Sequence, residues 1–359
     1  MLDERARRAR RPPTLRTTEI QVGPPTIYYL TPDYPVPSGG IRVAYKHVDL
    51  LNDAGRSAAV LHHANGFSCR WFEHSTRIVG APSARLCPED VLVVPEIYGQ
   101  FLDRLPRGPR VVVFSQNAYL TFDRVAPGQT LSYDGVAAAM TISPDSAEYL
   151  RFAFPGLKVA IVRDAIDPAT FHPAPDPPGR RIAVMPRKRP EDADQVLRLL
   201  GDRLRGWDVV TIAGASESET AALMRSASIF LAFGHQEGFG LPPAEAMASG
   251  CYVIGFPAFG GREIFDPSFS RPIPDGDVLA FAREAANSMR AFDEDPAAMR
   301  AAGARAAEHV RRTYAPERQR AELVEFMDDV VAAVPSATEE SRLRHATADH
   351  SALEAQWTS

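Results

Sequence analysis

Short apolar runs recur along this chain, and helical stretches with apolar residues three and four apart separate them. The first set is TIYYL (26–30), SAAVLH (57–62), DVLVVPE (90–96), RVVVFSQ (110–116) and AMTIS (139–143), with KVAIV (158–162) as a further strand near a domain edge. The second is RRIAVM (180–185), DVVTIAG (208–214), SIFLAF (228–233) and CYVIGF (251–256). Runs without a polar alternation fit strands buried on both faces, as in parallel sheets. Their alternation with helices predicts an α/β protein, and two sets predict two Rossmann-like doubly wound domains. Such sheets take ligands at the carboxyl ends of their strands, so two of them facing a cleft would put the sites on loops that follow strands.

Breaks in the pattern set the expected boundaries. Residues 1–25 read as a disordered basic leader, 26–163 as the N-terminal domain and 164–180 as a proline-rich linker. The C-terminal domain spans 181–315, and 335–359 reads as a disordered tail. Asp167–Pro168 fits a capped helical turn, and Asp295–Pro296 and Pro316 fit helix starts. The helix over 316–334 carries Leu323, Phe326, Met327, Val330 and Val334 on one stripe, so it is expected to cross back and pack on the N-terminal domain.

Composition narrows the class. Hydrophobic residues make up 45% of the 359, enough for full cores. A formal net charge of -5 argues against nucleic acid as the main partner. The arginines in MLDERARRARRPP fit a loose basic tail or a weak peripheral contact with an acidic membrane face. No apolar signal core and no spanning run is present, and Cys69, Cys87 and Cys251 fit buried thiols in a reducing compartment. A cytoplasmic chain, possible at the inner membrane face, is the expectation; oligomeric state is left open.

The most specific stretch is HQEGFGLPPAEAMASG, residues 235–250, which follows the strand SIFLAF. Gly238 and Gly240 leave backbone N–H groups unobstructed where a helix opens at Leu241–Pro242–Pro243, a setting that suits a pyrophosphate. Glu237 and Glu245 would repel a diphosphate, so each should face neutral hydroxyls, a sugar on one side and a ribose on the other. A helix cap and a solvated carboxylate are the alternative. Arg187 and Lys188, followed by Arg189, come directly after another strand and suit a diphosphate; a solvated basic turn is the alternative. Gly39 and Gly40 open a helix after the first strand, either to let a phosphate or sugar approach or to make a turn needing positive φ. Gln116 and Asn117, after RVVVF, could hold an acceptor hydroxyl or cap a turn. His62 and His63 fit packing, and Gly260, Gly261 and Glu263 form another loop after a strand. No GxGxxG motif, metal cluster or Ser-His-Asp set stands out.

EGFGLPPAEAMASG resembles the E-x7-E signature of retaining glycosyltransferase family 4, which has the GT-B fold. SGGIRVAYKHVDLLNDAG, AIDPATFHP and FGGREIF resemble further segments of that family in the same order. The resemblance implies that Glu237 holds donor-sugar hydroxyls and Glu245 the ribose. It gives Gly238, Phe239, Gly240 and Leu241 a turn whose amides meet sugar and phosphate, and it sets Gly39 and Gly40 near the diphosphate. Arg187 matches the family's diphosphate arginine. There are three departures. The lysine, Lys188, is adjacent to the arginine rather than about five residues on. Gln116 and Asn117 stand where the family often has a histidine. The segment from Arg187 to Glu237 is short, with room for about one strand-helix unit where two were expected.

The resulting expectation is a hexosyltransferase without cofactor or metal. It would move a sugar from a nucleoside diphosphate (UDP first, GDP or dTDP as alternatives) to the hydroxyl of a glycan, lipid-linked glycan or small natural product. Arg187, Lys188 and Glu237 are the expected catalytic set. A non-catalytic nucleotide-sugar-binding protein on the same fold is the competing class. A sugar phosphorylase would need Lys188 to carry pyridoxal phosphate.

Overall fold

The computed structural model describes residues 11–333 apart from 21, 22, 124, 127 and 177. The contacts divide it into two compact units, one of residues 11–142, 146–162 and 320–333, the other of 143–145 and 163–319.

The first unit holds a parallel sheet of β1 (Thr26–Leu30), β2 (Ser57–His62), β3 (Ile78–Gly80), β4 (Val91–Pro95), β5 (Arg110–Ser115), β6 (Ala138–Thr141) and β7 (Val159–Ile161). Their order in space is β3-β2-β1-β4-β5-β6-β7. The order reverses between β1 and β4, which is where a doubly wound sheet opens a crevice. The strands match the apolar runs closely, and β7 is an edge strand of the sheet. Helix α1 (Gly39–Asp53) follows β1 and buries Ile41, Ala44, Tyr45, Val48 and Leu51. It ends at Gly55, φ 78°, whose N–H reaches the Asn52 carbonyl at 2.9 Å. Helix α2 (Pro144–Ala153) precedes β7.

The second unit holds β8 (Arg181–Met185), β9 (Asp208–Thr211), β10 (Ile229–Phe233), β11 (Tyr252–Phe256) and β12 (Ser270–Pro272), ordered β12-β11-β10-β8-β9, again all parallel. Here the order reverses between β8 and β10. Helix α3 (Pro190–Leu200) leaves β8, α4 (Glu217–Arg225) precedes β10, and α5 (Leu241–Ala248) follows it. α6 (Val278–Glu294) and α7 (Pro296–Thr313) complete the layers, and Phe281, Met289 and Phe292 of α6 pack with Ile182, Leu231 and Phe256 of the sheet. Asp295 caps α7 through the Ala298 N–H at 3.0 Å. Asp167 closes the expected turn, its side chain accepting from Ala169 N and Thr170 Oγ1.

Helix α8 (Pro316–Ala332) starts in the second unit and belongs to the first from Arg320 onward. Leu323, Met327 and Val330 are buried and Phe326 half-buried; Val334 lies outside the described residues.

Two strands escape the apolar pattern. β3 and β12 are three residues each, and β12 reads Ser-Arg-Pro. Both are edge strands, where burial is one-sided and proline is tolerated. The expected disordered leader needs correction in its described part. Leu15 is buried, Thr18 N and Leu86 N exchange bonds with Leu86 O and Arg16 O, and Cys87 Sγ lies 3.2 Å from the Ile20 carbonyl. Residues 1–10 and the expected tail 335–359 lie outside the described residues. All three cysteines are buried.

Candidate functional site

The carboxyl ends of β8, β10 and β11 wall a recess. Met185, Arg187 and Lys188 come from β8 and its turn. Ala232, Phe233, Gly234 and Glu237 come from β10 and its loop, Gly240, Pro242 and Pro243 from the start of α5, and Phe256, Pro257 and Ala258 from the end of β11. This is the switch point of the second sheet, so topology and shape agree on its place.

The local backbone is built by close approach. The loop after β10 runs beside the loop after β11: Glu237 N donates to Ala258 O at 3.0 Å and Gly260 N to Glu237 O at 3.1 Å. A Cβ on Gly260 would sit 2.1 Å from Gly238 O, so only glycine fits there. Among the described residues, the non-glycine positions with positive φ are Gln236, Ala258 and Phe259, all in these two loops. Strain concentrated in this way marks functional loops more often than scaffold. Gly240, φ 95°, supplies the left-handed turn from which α5 starts.

Opposite charges meet in the recess. Lys188 Nζ lies 4.0 Å from Glu237 Oε1, and both side chains are partly exposed. Arg187 stands beside Lys188 on the same wall. The α5 amides need one refinement of the sequence reading. Pro242 and Pro243 have no N–H, so an anion at this helix start would be met by the amides of Gly238 to Leu241, and the rest of the first helical turn offers it little. The Phe239 side chain turns into the core, its ring 4.9 Å from that of Tyr314, so only its backbone is available to a ligand. Glu245 lies in α5, is buried, and is not among the recess-lining residues. Glu263, on the next loop, lies 3.8 Å from Arg163.

The remaining candidates belong to the first unit. Gly39 and Gly40 open α1 without positive φ, which removes the turn-geometry alternative. Gly40 is closely approached by a side chain: Gln116 Nε2 donates to its carbonyl at 3.0 Å, and a Cβ would press the Gln116 amide at 3.1 Å. Gln116 therefore braces the glycine turn. Asn117 Oδ1 accepts from Tyr119 N at 3.1 Å, the capping role weighed for it. Beneath them lies Glu96, a residue the sequence reading passed over as the end of a strand. It is buried, Gln116 N approaches its Oε2 at 3.4 Å, and loss of water pushes its pKa up to about 7 against the backbone N–H bonds of Gln116 and Asn117. His62 is fully buried, with Nε2 2.6 Å from Tyr45 OH and Nδ1 3.0 Å from Asp33 Oδ1, a packed network as expected.

Sequence reasoning also missed how Arg189 differs from its two neighbours. Its partners are Asp192 in the first turn of α3, His235 on the loop after β10 and Asp275 on the loop after the unforeseen β12.

Comparison with known proteins agrees with this geometry. Residues 182–291, which carry the recess, match the family model of glycosyl transferases group 1. Over 271 residues the chain is 27% identical to an alpha-1,6-glucosyltransferase of Actinobacillus pleuropneumoniae serotype 7, covering 71% of this chain and 81% of that protein. Among solved structures, sucrose-phosphate synthase of Thermosynechococcus elongatus aligns with a TM-score of 0.65 at 15% identity, over 86% of this chain and all of that one (100%). HepE of Anabaena, in complex with UDP-glucose, aligns with a TM-score of 0.61 at 12% identity, over 85% and 99%. The two parallel sheets are those of the GT-B fold, and the chain is a glycosyltransferase.

Proposed function

We propose that the chain transfers a sugar, glucose in the first instance, from UDP to an acceptor hydroxyl with retention of the anomeric configuration. The carrying observation is the meeting of Lys188 and Glu237, 4.0 Å apart and beside Arg187, in the recess at the sheet's switch point. UDP and glucose are favoured by the named relatives: a glucosyltransferase in sequence and a UDP-glucose complex in structure.

In the reaction the bond from the anomeric carbon to the diphosphate oxygen breaks, and a bond to the acceptor oxygen forms on the same face. The acceptor proton passes to the departing diphosphate. Negative charge therefore grows on the phosphates as positive charge grows on the sugar ring. Arg187, Lys188 and the amides of Gly238 to Leu241 meet the first without reorganising, the arrangement that contributes most to catalysis. Glu237 accepts hydrogen bonds from sugar hydroxyls and offsets the second. The ribose hydroxyls are assigned to Glu245 on the resemblance alone, since it lies buried in α5 and outside the recess lining. Gly39 and Gly40 keep the donor-side part that the resemblance gives them, and Gln116 and Asn117, which depart from the family pattern, are kept as acceptor-side candidates on their place after β5.

Turnover of UDP-glucose with a panel of hydroxyl acceptors tests the reading. Loss of one such electrostatic contact is expected to lower kcat by about 10²- to 10³-fold in Glu237→Ala and Arg187→Ala. Near-normal rates in both variants would end the assignment. An inverted product anomer, read by NMR, would end the retaining part alone.

A further inference from the structure

Three basic residues follow β8 in a row, and the structure gives the third a different task from the first two. Arg187 and Lys188 line the recess. Arg189 is the residue before α3, and its N–H closes the turn on Pro186 O at 3.0 Å. Its guanidinium is bound on several sides. Nη2 donates to Asp275 Oδ1 and Oδ2 at 2.7 and 2.9 Å and lies 2.9 Å from His235 Nδ1. Nη1 donates to Asp192 Oδ2 at 3.1 Å, and the cation sits 5.0 Å from the centre of the Phe256 ring. These contacts tie the turn after β8 to the loop after β10, to the end of β11 and to the loop after β12. Two carboxylates already neutralise this cation, which leaves it poorly suited to grip a diphosphate. The residues it joins flank the proposed donor contacts: Lys188 is its neighbour in sequence, and Glu237 is two residues beyond His235.

Resting on the function proposed above, we infer that Arg189 is a positioning residue. Its planar fork fixes the basic turn against the Glu237 loop, so that Arg187 and Lys188 stand ready when the leaving group develops charge. Geometry of this kind acts on the chemical step, where small displacements cost large factors in rate. Lysine has the charge but not the fork, and so does not replace arginine at a site with this many partners.

The test compares Arg189→Met, Arg189→Lys and Arg187→Met by steady-state kinetics with UDP-glucose and by calorimetric binding of UDP. Arg187→Met is expected to weaken UDP binding at least about tenfold, as a lost phosphate contact should. Both Arg189 variants are expected to lower kcat about tenfold or more while UDP affinity changes by less than about threefold. The double variant Arg187→Met/Arg189→Met should fall short of the product of the two single effects, since one residue acts through the other. Wild-type kcat in Arg189→Met, beside an impaired Arg187→Met, overturns the inference. So does a loss of UDP affinity equal to that of Arg187→Met with multiplicative kinetics, because Arg189 would then hold phosphate itself. Should Arg189→Met fail to fold, Asp275→Asn carries the same comparison: it keeps the arginine and removes the carboxylate charge from its fork, and it must lower kcat ahead of UDP affinity. Full activity in Arg187→Met and Glu237→Ala together would remove the underlying reading instead.

Discussion

Glu96 shows how far one buried group can set the behaviour of a domain. At the carboxyl end of β4 it loses its water, and its pKa rises from 4.5 to about 7. Between those values the folded chain keeps a proton that the unfolded chain has released. The neutral carboxyl thus stabilises the fold fully below pH 4.5, and the contribution fades as pH climbs through 7. His47 acts in the opposite sense: burial lowers its pKa from 6.5 to about 3, so it favours the fold above 6.5 and loses that effect on acidification. Glu96→Gln leaves His47 in place and isolates the glutamate. We predict that urea melts of the two proteins coincide near pH 4.5, and that the variant is more stable at pH 8 by roughly 3 kcal/mol, from the linkage of about 1.4 kcal/mol per pKa unit. A constant difference across that range would contradict the buried-acid account. The same residue also shows a limit of sequence: Glu96 ends an apolar run and reads as a strand terminus, and only the fold brings the Gln116 and Asn117 amides over it.

At the level of elements, the strands were legible because parallel strands buried on both faces must be apolar, and each of the apolar runs holds a strand at its expected place. The start of α5 was legible for a related reason: Gly-Phe-Gly-Leu-Pro-Pro combines a left-handed glycine with prolines that lose no helical bond. β3 and β12 were not legible, since short edge strands need little apolar content. The basic turn was legible as a cluster of charge but not as a division of labour, because two of the groups that claim Arg189, His235 and Asp275, lie on loops far along the chain. Nor did sequence show that the loops after β10 and β11 run together, a contact that rests on backbone proximity at Gly260. This gives a prediction at the same scale. Gly260→Ala must part the two loops, since its Cβ would stand 2.1 Å from Gly238 O. Gly240→Ala only forces a left-handed conformation, at about 1–2 kcal/mol. Activity with UDP-glucose should therefore be abolished in the first and reduced in the second, with circular dichroism still showing a folded chain in the second. Equal activity in both would mean that the contact between the loops does not shape the recess.

For the molecule as a whole, the path of the chain matters more than any single contact, because α8 begins in one unit and joins the other from Arg320. Within the first unit Leu323, Met327 and Val330 are buried, Arg110 Nη1 donates to the Val331 carbonyl at 2.6 Å, and Arg320 Nη2 reaches the Asp53 carbonyl at 3.0 Å. Arg56 and Asp328 also form an ion pair there, but both side chains are well exposed, and exposed pairs contribute little. Burial of each apolar side chain contributes about 1.5–3 kcal/mol, so the three together approach the net stability of an ordinary domain, about 5–15 kcal/mol. Apolar packing should therefore outweigh the ion pair. Leu323→Ala is expected to cost about 2–5 kcal/mol in a urea melt, whereas Arg56→Ala should leave the transition nearly unmoved. A chain stopped after Ala315 should lose the sharp near-ultraviolet dichroism of packed aromatics and bind a hydrophobic dye, since the apolar face that received α8 is left open to water. If instead Arg56→Ala proved the more damaging substitution, the helix would be held by charge, and the apolar stripe read from its sequence would not be what fastens it.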